Sequence, residues 1–218
     1  MRRLIVVPSC HALRHYEQTI RDTWGKDAEV DLRFFLGNPQ VALAPDEVFL
    51  DVGDGWSDIT KKCVAMFQWA LGYEFVWKVD LDTFVRPKQL LGAGLEAYDW
   101  VGGRNSFFAS GGAGYGLSRR AMEYVVSHPI NTTCEEDVHT ARALLEQGIE
   151  LHADPRFKFC PGDVLKAEDL TMHLSSVRAW DAKYQTMWMH EAYDAKSTYV
   201  PFVEAQKRAL RFNRRRLR

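Results

Sequence analysis

Residues 75–85 read FVWKVDLDTFV. An apolar run, 75–79, is broken only by Lys78 and is followed at once by Asp80 and Asp82, which flank Leu81. A short apolar run with polar residues beyond it predicts a buried strand. Two carboxylates just past its end predict a turn that can face a common ligand. A hard divalent cation suits that geometry, because carboxylates supply some of its ligands while phosphate oxygens and water supply the rest. D-x-D is a short pattern, and the same pair also reads as an acidic turn cap that holds no metal.

Outward from this segment the pattern alternates. Residues 4–7, 32–36, 48–52, 100–103, 113–117 and 149–152 predict further strands. Residues 11–24 have near-helical apolar spacing. Ser57 reads as the N-cap of a second helix, with Ile59, Cys63, Met66, Phe67 and Ala70 on one face and Gly72 as its stop. Two more helices are predicted at 118–126 and 133–147. Strands separated by helices of this length predict an α/β, Rossmann-type domain: a mainly parallel central sheet with helices on both faces. In such sheets ligands bind beyond the carboxyl ends of the strands, which is where Asp80 and Asp82 fall.

Composition narrows the classes. The 218 residues are 46% apolar and 26% charged, with 7 Trp and 12 Phe, so a disordered chain is excluded. The length predicts one domain over residues 1–203 and a basic tail over 204–218. Seven of the 28 basic residues lie in 207–218, where there is no acid, so the rest of the chain carries a net charge of −8. Such a tail reads as a solvated end or as a grip for phosphate. No stretch approaches the ~20 apolar residues of a membrane span. Four scattered cysteines make no disulfide framework, and a Cys134–Cys160 bridge stays open.

Three more segments carry candidate chemistry. Residues 110–120, SGGAGYGLSRR, place Gly111, Gly112, Gly114 and Gly116 close together, a density that predicts close backbone approach or a sharp turn. No G-K-[ST] follows, so this is not a phosphate loop. In TTCEEDVHTARALL (residues 132–145), Thr132 with Glu135 and Thr133 with Glu136 both fit a capping box. Asp137 is less well explained by capping: it lies beside the buried face and reads as a general base. The helix dipole lowers the pKa of such a carboxylate, so position must matter more than basicity. His173 sits in an alternating segment, DLTMHLSS, where a lone histidine is more often structural than a ligand.

Taken in order, these blocks resemble the beta-1,3-glycosyltransferase family that includes the beta-1,3-galactosyltransferases, the core 1 synthases and Fringe. Arg21-Asp22-Thr23-Trp24 resembles the family's R-x-T-W block, and residues 78–85 its K-x-D-D-D-x-F-V block. Residues 111–118 resemble its glycine block and Glu136-Asp137-Val138 its E-D-V block. The four span residues 21–138. The resemblance implies a GT-A fold, a UDP-sugar donor, Mn2+ or Mg2+, and transfer to an acceptor hydroxyl with inversion. It implies that Asp82, Asp80 and His173 hold the metal and that Asp137 is the base. Arg21, Lys78, Asp80, Gly111 and Gly112 would contact the donor, with Trp100 or Trp180 as stacking surfaces. The sequence departs from the pattern at Leu81, where the family has a middle acid.

The expected partners are therefore a nucleotide-sugar donor and a glycan or other hydroxyl acceptor. Two alternatives remain open: a non-catalytic carbohydrate binder, motivated by Leu81, and an enzyme acting on a modified nucleic-acid base through the 207–218 tail. The expected location is cytoplasmic, with the Golgi lumen as the alternative if an anchor has been removed.

Overall fold

Leu4, Ile5, Val6 and Val7 are consecutive and all fully buried, which a strand achieves only when both faces of its sheet are covered. The computed structural model of the chain describes residues 1–38, 42–159, 166, 168–174, 189–190 and 193. Its strands, in chain order, are β1 (Arg3–Pro8), β2 (Asp31–Gly37), β3 (Glu47–Leu50), β4 (Phe75–Lys78), β5 (Thr83–Val85) and β6 (Trp100–Gly102). They continue with β7 (Arg104–Asn105), β8 (Phe108–Ala109), β9 (Tyr115–Ser118), β10 (His152–Ala153), β11 (Phe157–Lys158) and β12 (Thr171–His173). The helices are α1 (His15–Asp22), α2 (Ile59–Ala70), α3 (Pro87–Gly92), α4 (Arg119–Ser127) and α5 (Glu136–Leu145).

The central sheet runs β10-β6-β9-β4-β1-β2-β3. Side chains alternate across a strand, and the two faces carry separate cores. Ile5, Val7, Phe34 and Trp77 pack with Tyr16 and Ile20 of α1 and with Trp24. Leu4, Val6, Phe35 and Val76 pack with α2, α4 and α5 through Phe67, Met122 and Leu144. The seams β10–β6, β4–β1, β1–β2 and β2–β3 are parallel, while β9 is antiparallel to both of its neighbours.

That reversal positions the site. Because Lys78 at the end of β4 pairs with Tyr115 at the start of β9, the glycine segment entering β9 lies beside the turn leaving β4. A smaller sheet, β11-β12-β5, adds the third component: β12 runs antiparallel to β5 with His173 opposite Thr83.

Several local expectations change. The helix predicted over 11–24 divides into a 3-10 turn at His11–Leu13, α1, and a second 3-10 turn at Trp24–Asp27. Ser57 lies in a 3-10 turn, Trp56–Asp58, and Asp58 takes the N-cap position of α2. Ser118 does cap α4, its Oγ accepting from Ala121 N at 3.2 Å. Neither capping box forms: α5 starts at Glu136 with Glu135 at its N-cap and no side-chain cap. Thr133 instead bonds Asn131, and Glu136 is drawn inward by partners described below. Cys10, Cys63 and Cys134 are free thiols; Cys160 lies outside the described residues, as do Trp180 and the 204–218 tail. Among the described residues no helix is long and apolar enough to cross a membrane.

Candidate active site

After β4 the chain turns tightly. Thr83 N donates to Asp80 O at 3.0 Å, and Asp80 N donates to Thr83 Oγ1 at 3.1 Å. The Thr83 hydroxyl donates in turn to Gly112 O at 2.7 Å. The acidic turn and the glycine segment are thus one rigid unit. Leu81 between the two acids is buried in the apolar core.

Asp82 and His173 meet across the β5–β12 seam, Oδ2 to Nε2, at 3.2 Å. Leu174 N donates to Asp82 O at 2.9 Å, which locks the end of β12 to the turn. Phe159 lies parallel to the His173 ring at 5.7 Å. Burial works against protonation of His173, but the hydrogen bond and charge of Asp82 outweigh it and raise its pKa. A Cβ on Gly112 would press within 3.0 Å of three His173 ring atoms, so glycine there leaves the imidazole its place.

Asp137 is held by two backbone N–H groups. Gly111 N donates to its Oδ2 at 3.0 Å and Val138 N to its Oδ1 at 2.8 Å. Its neighbour Glu136 faces inward and accepts from Lys78 Nζ at 2.5 Å and from Tyr115 OH at 2.6 Å. Burial pushes the Glu136 carboxyl up to about 7, against the pull of Lys78. Gly111 has no room for a side chain, since a Cβ would overlap Glu136 Oε1 and come within 3.0 Å of Lys78 Nζ.

These residues line one cavity of about 290 Å³ that opens to solvent. Asp80, Asp82, His173, Gly111, Gly112, Lys78 and Asp137 all line it, so seven of the eight site residues expected from the sequence converge. Arg21 is the exception. Its guanidinium is engaged by both oxygens of Asp46 at 2.8 Å and by Glu17 at 3.0 Å, and it is not among the lining residues. Trp100 is also removed from the site: it is fully buried in the core beneath α2 and α4. Lys78 lines the cavity, but its N–H groups face Asp80, Glu136 and Gly111 O.

The expected metal ligands fit a cation in part. A carboxylate oxygen and an imidazole nitrogen lie side by side at Asp82 and His173, a donor pair suited to Mn2+. Asp80 lines the same cavity, but its Oδ1 is 2.7 Å from Lys78 Nζ. Among the described residues no preassembled group of three His, Cys, Asp or Glu side chains is present.

The cavity lining also holds residues that the sequence reading missed. Lys62 is fully buried and donates to Ser9 O and to Asp54 Oδ1, each at 2.7 Å. Asp54 also accepts from Gly37 N and His11 N, tying β1, β2 and α2 together. Trp56, 70% exposed, is a large aromatic of the lining. Lys62 left a usable signal, because it interrupts the apolar stripe of Ile59, Cys63 and Met66.

No family profile matches the chain, and no curated protein does. Solved structures do. The apo glycosyltransferase GlyE of Streptococcus pneumoniae TIGR4 matches with a TM-score of 0.55 at 14% identity, over 92% of this chain and 65% of that one. A glycosyltransferase involved in glycosylation of the major capsid of PBCV-1 matches at 0.52 and 12% identity, over 87% and 99%. The catalytic domain of Drosophila beta1,4galactosyltransferase 7, in complex with xylobiose, matches at 0.50 and 12% identity, over 86% and 80%. The chain thus spans about two thirds of the GlyE chain. It has a GT-A-like fold, as the sequence predicts, with a mainly parallel Rossmann-type sheet flanked by helices.

Proposed function

We propose that this chain is an inverting, metal-dependent glycosyltransferase that moves a hexose or N-acetylhexosamine from a UDP-sugar to an acceptor hydroxyl, on a glycan and in β linkage. The carrying observation is that Asp82 with His173, and Asp137, line the same cavity although they are remote in sequence. The glycosyltransferase fold of the neighbours supports the reading, and the ordered motif blocks supply the beta-1,3 family as its finer form. We place the reaction in the cytoplasm.

In this scheme Asp137 takes the proton of the acceptor hydroxyl as that oxygen attacks the anomeric carbon. Two backbone N–H groups fix its carboxylate, and its role as the base rests on that position. Attack from the face opposite the diphosphate inverts the configuration, and no covalent intermediate is needed because the leaving group is already good. Asp82 and His173 would hold the cation, with Asp80 as a further ligand; when bound, the cation would neutralise charge on the departing diphosphate. Gly111 and Gly112 let the backbone approach the donor sugar.

A second reading, a non-catalytic sugar binder, is favoured by the capture of Asp80 by Lys78 and by the buried Leu81. UDP release decides between the two. A thermal-shift screen of nucleotide-diphosphate sugars with and without MnCl2 should give a stabilisation that needs both components, and the stabilising donor should then release UDP. Stabilisation without UDP release supports the binder. Transfer that persists in chelator ends the metal assignment.

A further inference from the structure

We propose that Lys78 is a positioning residue: one buried ammonium that holds Glu136 on α5 and Asp80 on the acidic turn, and so sets the spacing between the base and the cation-binding acids. The inference rests on the glycosyltransferase reading above. An ammonium has three donors, and here they meet Asp80 Oδ1 at 2.7 Å, Glu136 Oε1 at 2.5 Å and Gly111 O at 3.3 Å. Nothing is left over for a substrate, so Lys78 acts through its partners. Directly opposed residues on paired strands share a sheet face, and Lys78 opposes Tyr115. Tyr115 OH takes the second oxygen of Glu136 at 2.6 Å.

Glu136 is therefore clamped from both sides, from β4 and from β9. It is the first residue of α5 and the immediate neighbour of Asp137, so the clamp sets how the first helical turn presents the base. The glycine segment is shaped around the clamp, since a Cβ at Gly111 would meet both Glu136 Oε1 and Lys78 Nζ. The same ammonium sits 2.7 Å from Asp80 Oδ1 and so competes for that oxygen with any cation at Asp82 and His173. One side chain thus does two things: it aims the base and competes for a metal ligand.

A pair that serves only stability can be replaced by neutral groups at little cost, and that separates the two roles. The test is the double variant Lys78→Met/Glu136→Gln beside wild type. It compares melting temperature, Mn2+ affinity by electron paramagnetic resonance of free MnCl2, and UDP release from UDP-galactose, UDP-glucose and the two UDP-N-acetylhexosamines. The expected result is a melting temperature within a few degrees of wild type, kcat lower by about 100-fold and donor KM within about threefold, as for a misaimed catalytic group. Mn2+ should bind about fivefold more tightly, because the ammonium that competes for Asp80 is removed. Turnover and Mn2+ affinity moving in opposite directions is a signature that simple structural damage does not give.

Wild-type kcat in the double variant overturns the proposal, as does a loss of Mn2+ affinity in step with melting temperature. If wild type binds Mn2+ but releases no UDP, the functional reading fails and the Mn2+ comparison alone decides the role of Lys78. A wild type that does neither overturns both. If the double variant does not fold, Glu136→Gln alone should lower kcat about tenfold, and wild-type kcat there overturns the proposal.

Discussion

Arg14, Arg21, Glu17, Asp46 and Glu47 form one cluster of charge between α1 and the start of β3; Lys78, Asp80, Asp82, Glu136, Asp137 and His173 form another around the cavity. In the first, Arg14 grips both oxygens of Glu47 and Arg21 both oxygens of Asp46. Glu17 is fully buried, and burial followed by its hydrogen bond with Glu47 pushes it up to about 8. Glu47 falls to about 2, because hydrogen bonds from Arg14 and Glu17 outweigh its burial. With Glu17 neutral, two guanidinium groups face two carboxylates and the cluster closes on itself. The second cluster sets four acids against one lysine and one histidine, and it opens onto the cavity. Under the proposed function a bound cation would balance that excess, whereas the closed cluster has none to balance. The motif-bearing Arg21 belongs to the balanced kind, which is why a residue expected to touch the donor serves the fold.

Substitutions at the two clusters should therefore fail differently. The largest effect is expected at Asp137→Asn, which should lower transfer by about 10³-fold while donor affinity stays within twofold; steady-state kinetics beside calorimetric donor titration checks this. Next comes Gly111→Ala. Its methyl group meets Glu136 and Lys78, so it should destabilise by about 1–3 kcal/mol by overpacking, with turnover falling alongside, as denaturant melts and kinetics would show. Arg21→Met should destabilise by about 2 kcal/mol through uncompensated acids, yet leave donor KM unchanged in the folded fraction. A large rise in donor KM there would erase the contrast between the clusters.

The smallest effect concerns pH. Glu17 has a folded pKa raised above its unfolded value, so its contribution to stability is fully present below about 4.5 and is lost as pH rises through about 8. Glu47 has the opposite sign, and its contribution is lost only as pH falls toward about 2. Between pH 5 and 8.5, wild type should therefore lose a few degrees of melting temperature that Glu17→Gln keeps. Parallel curves for the two would contradict the assignment.

The strands of the central sheet and the order of the blocks were readable because apolar runs and glycine stops are local signals, whereas the short strands β5, β7, β8, β11 and β12 were not. The β4 strand, the acidic turn and Asp137 are of the readable kind. Register and direction were not readable. Nothing local says that β9 runs backwards, although that reversal brings Gly111 to Asp137. The β12–β5 pairing that seats His173 against Asp82 joins residues about 90 positions apart, and only the family resemblance pointed to it. Glu136 was misread for the same reason. Its spacing from Thr133 fits a capping box, but a buried lysine on a distant strand is the stronger partner. Arg21 and Trp100 show the converse, since a motif position or an aromatic side chain does not reveal whether it faces the cavity or the core.

Calorimetric titration of UDP in MnCl2 into wild type, Asp82→Ala and Asp137→Asn tests most directly whether the two acids serve different ends of one cavity. The account predicts that Asp82→Ala loses Mn2+-dependent UDP binding by tenfold or more, about 1.4 kcal/mol, while Asp137→Asn binds UDP as wild type does. Equal losses in both variants, or in neither, would contradict it.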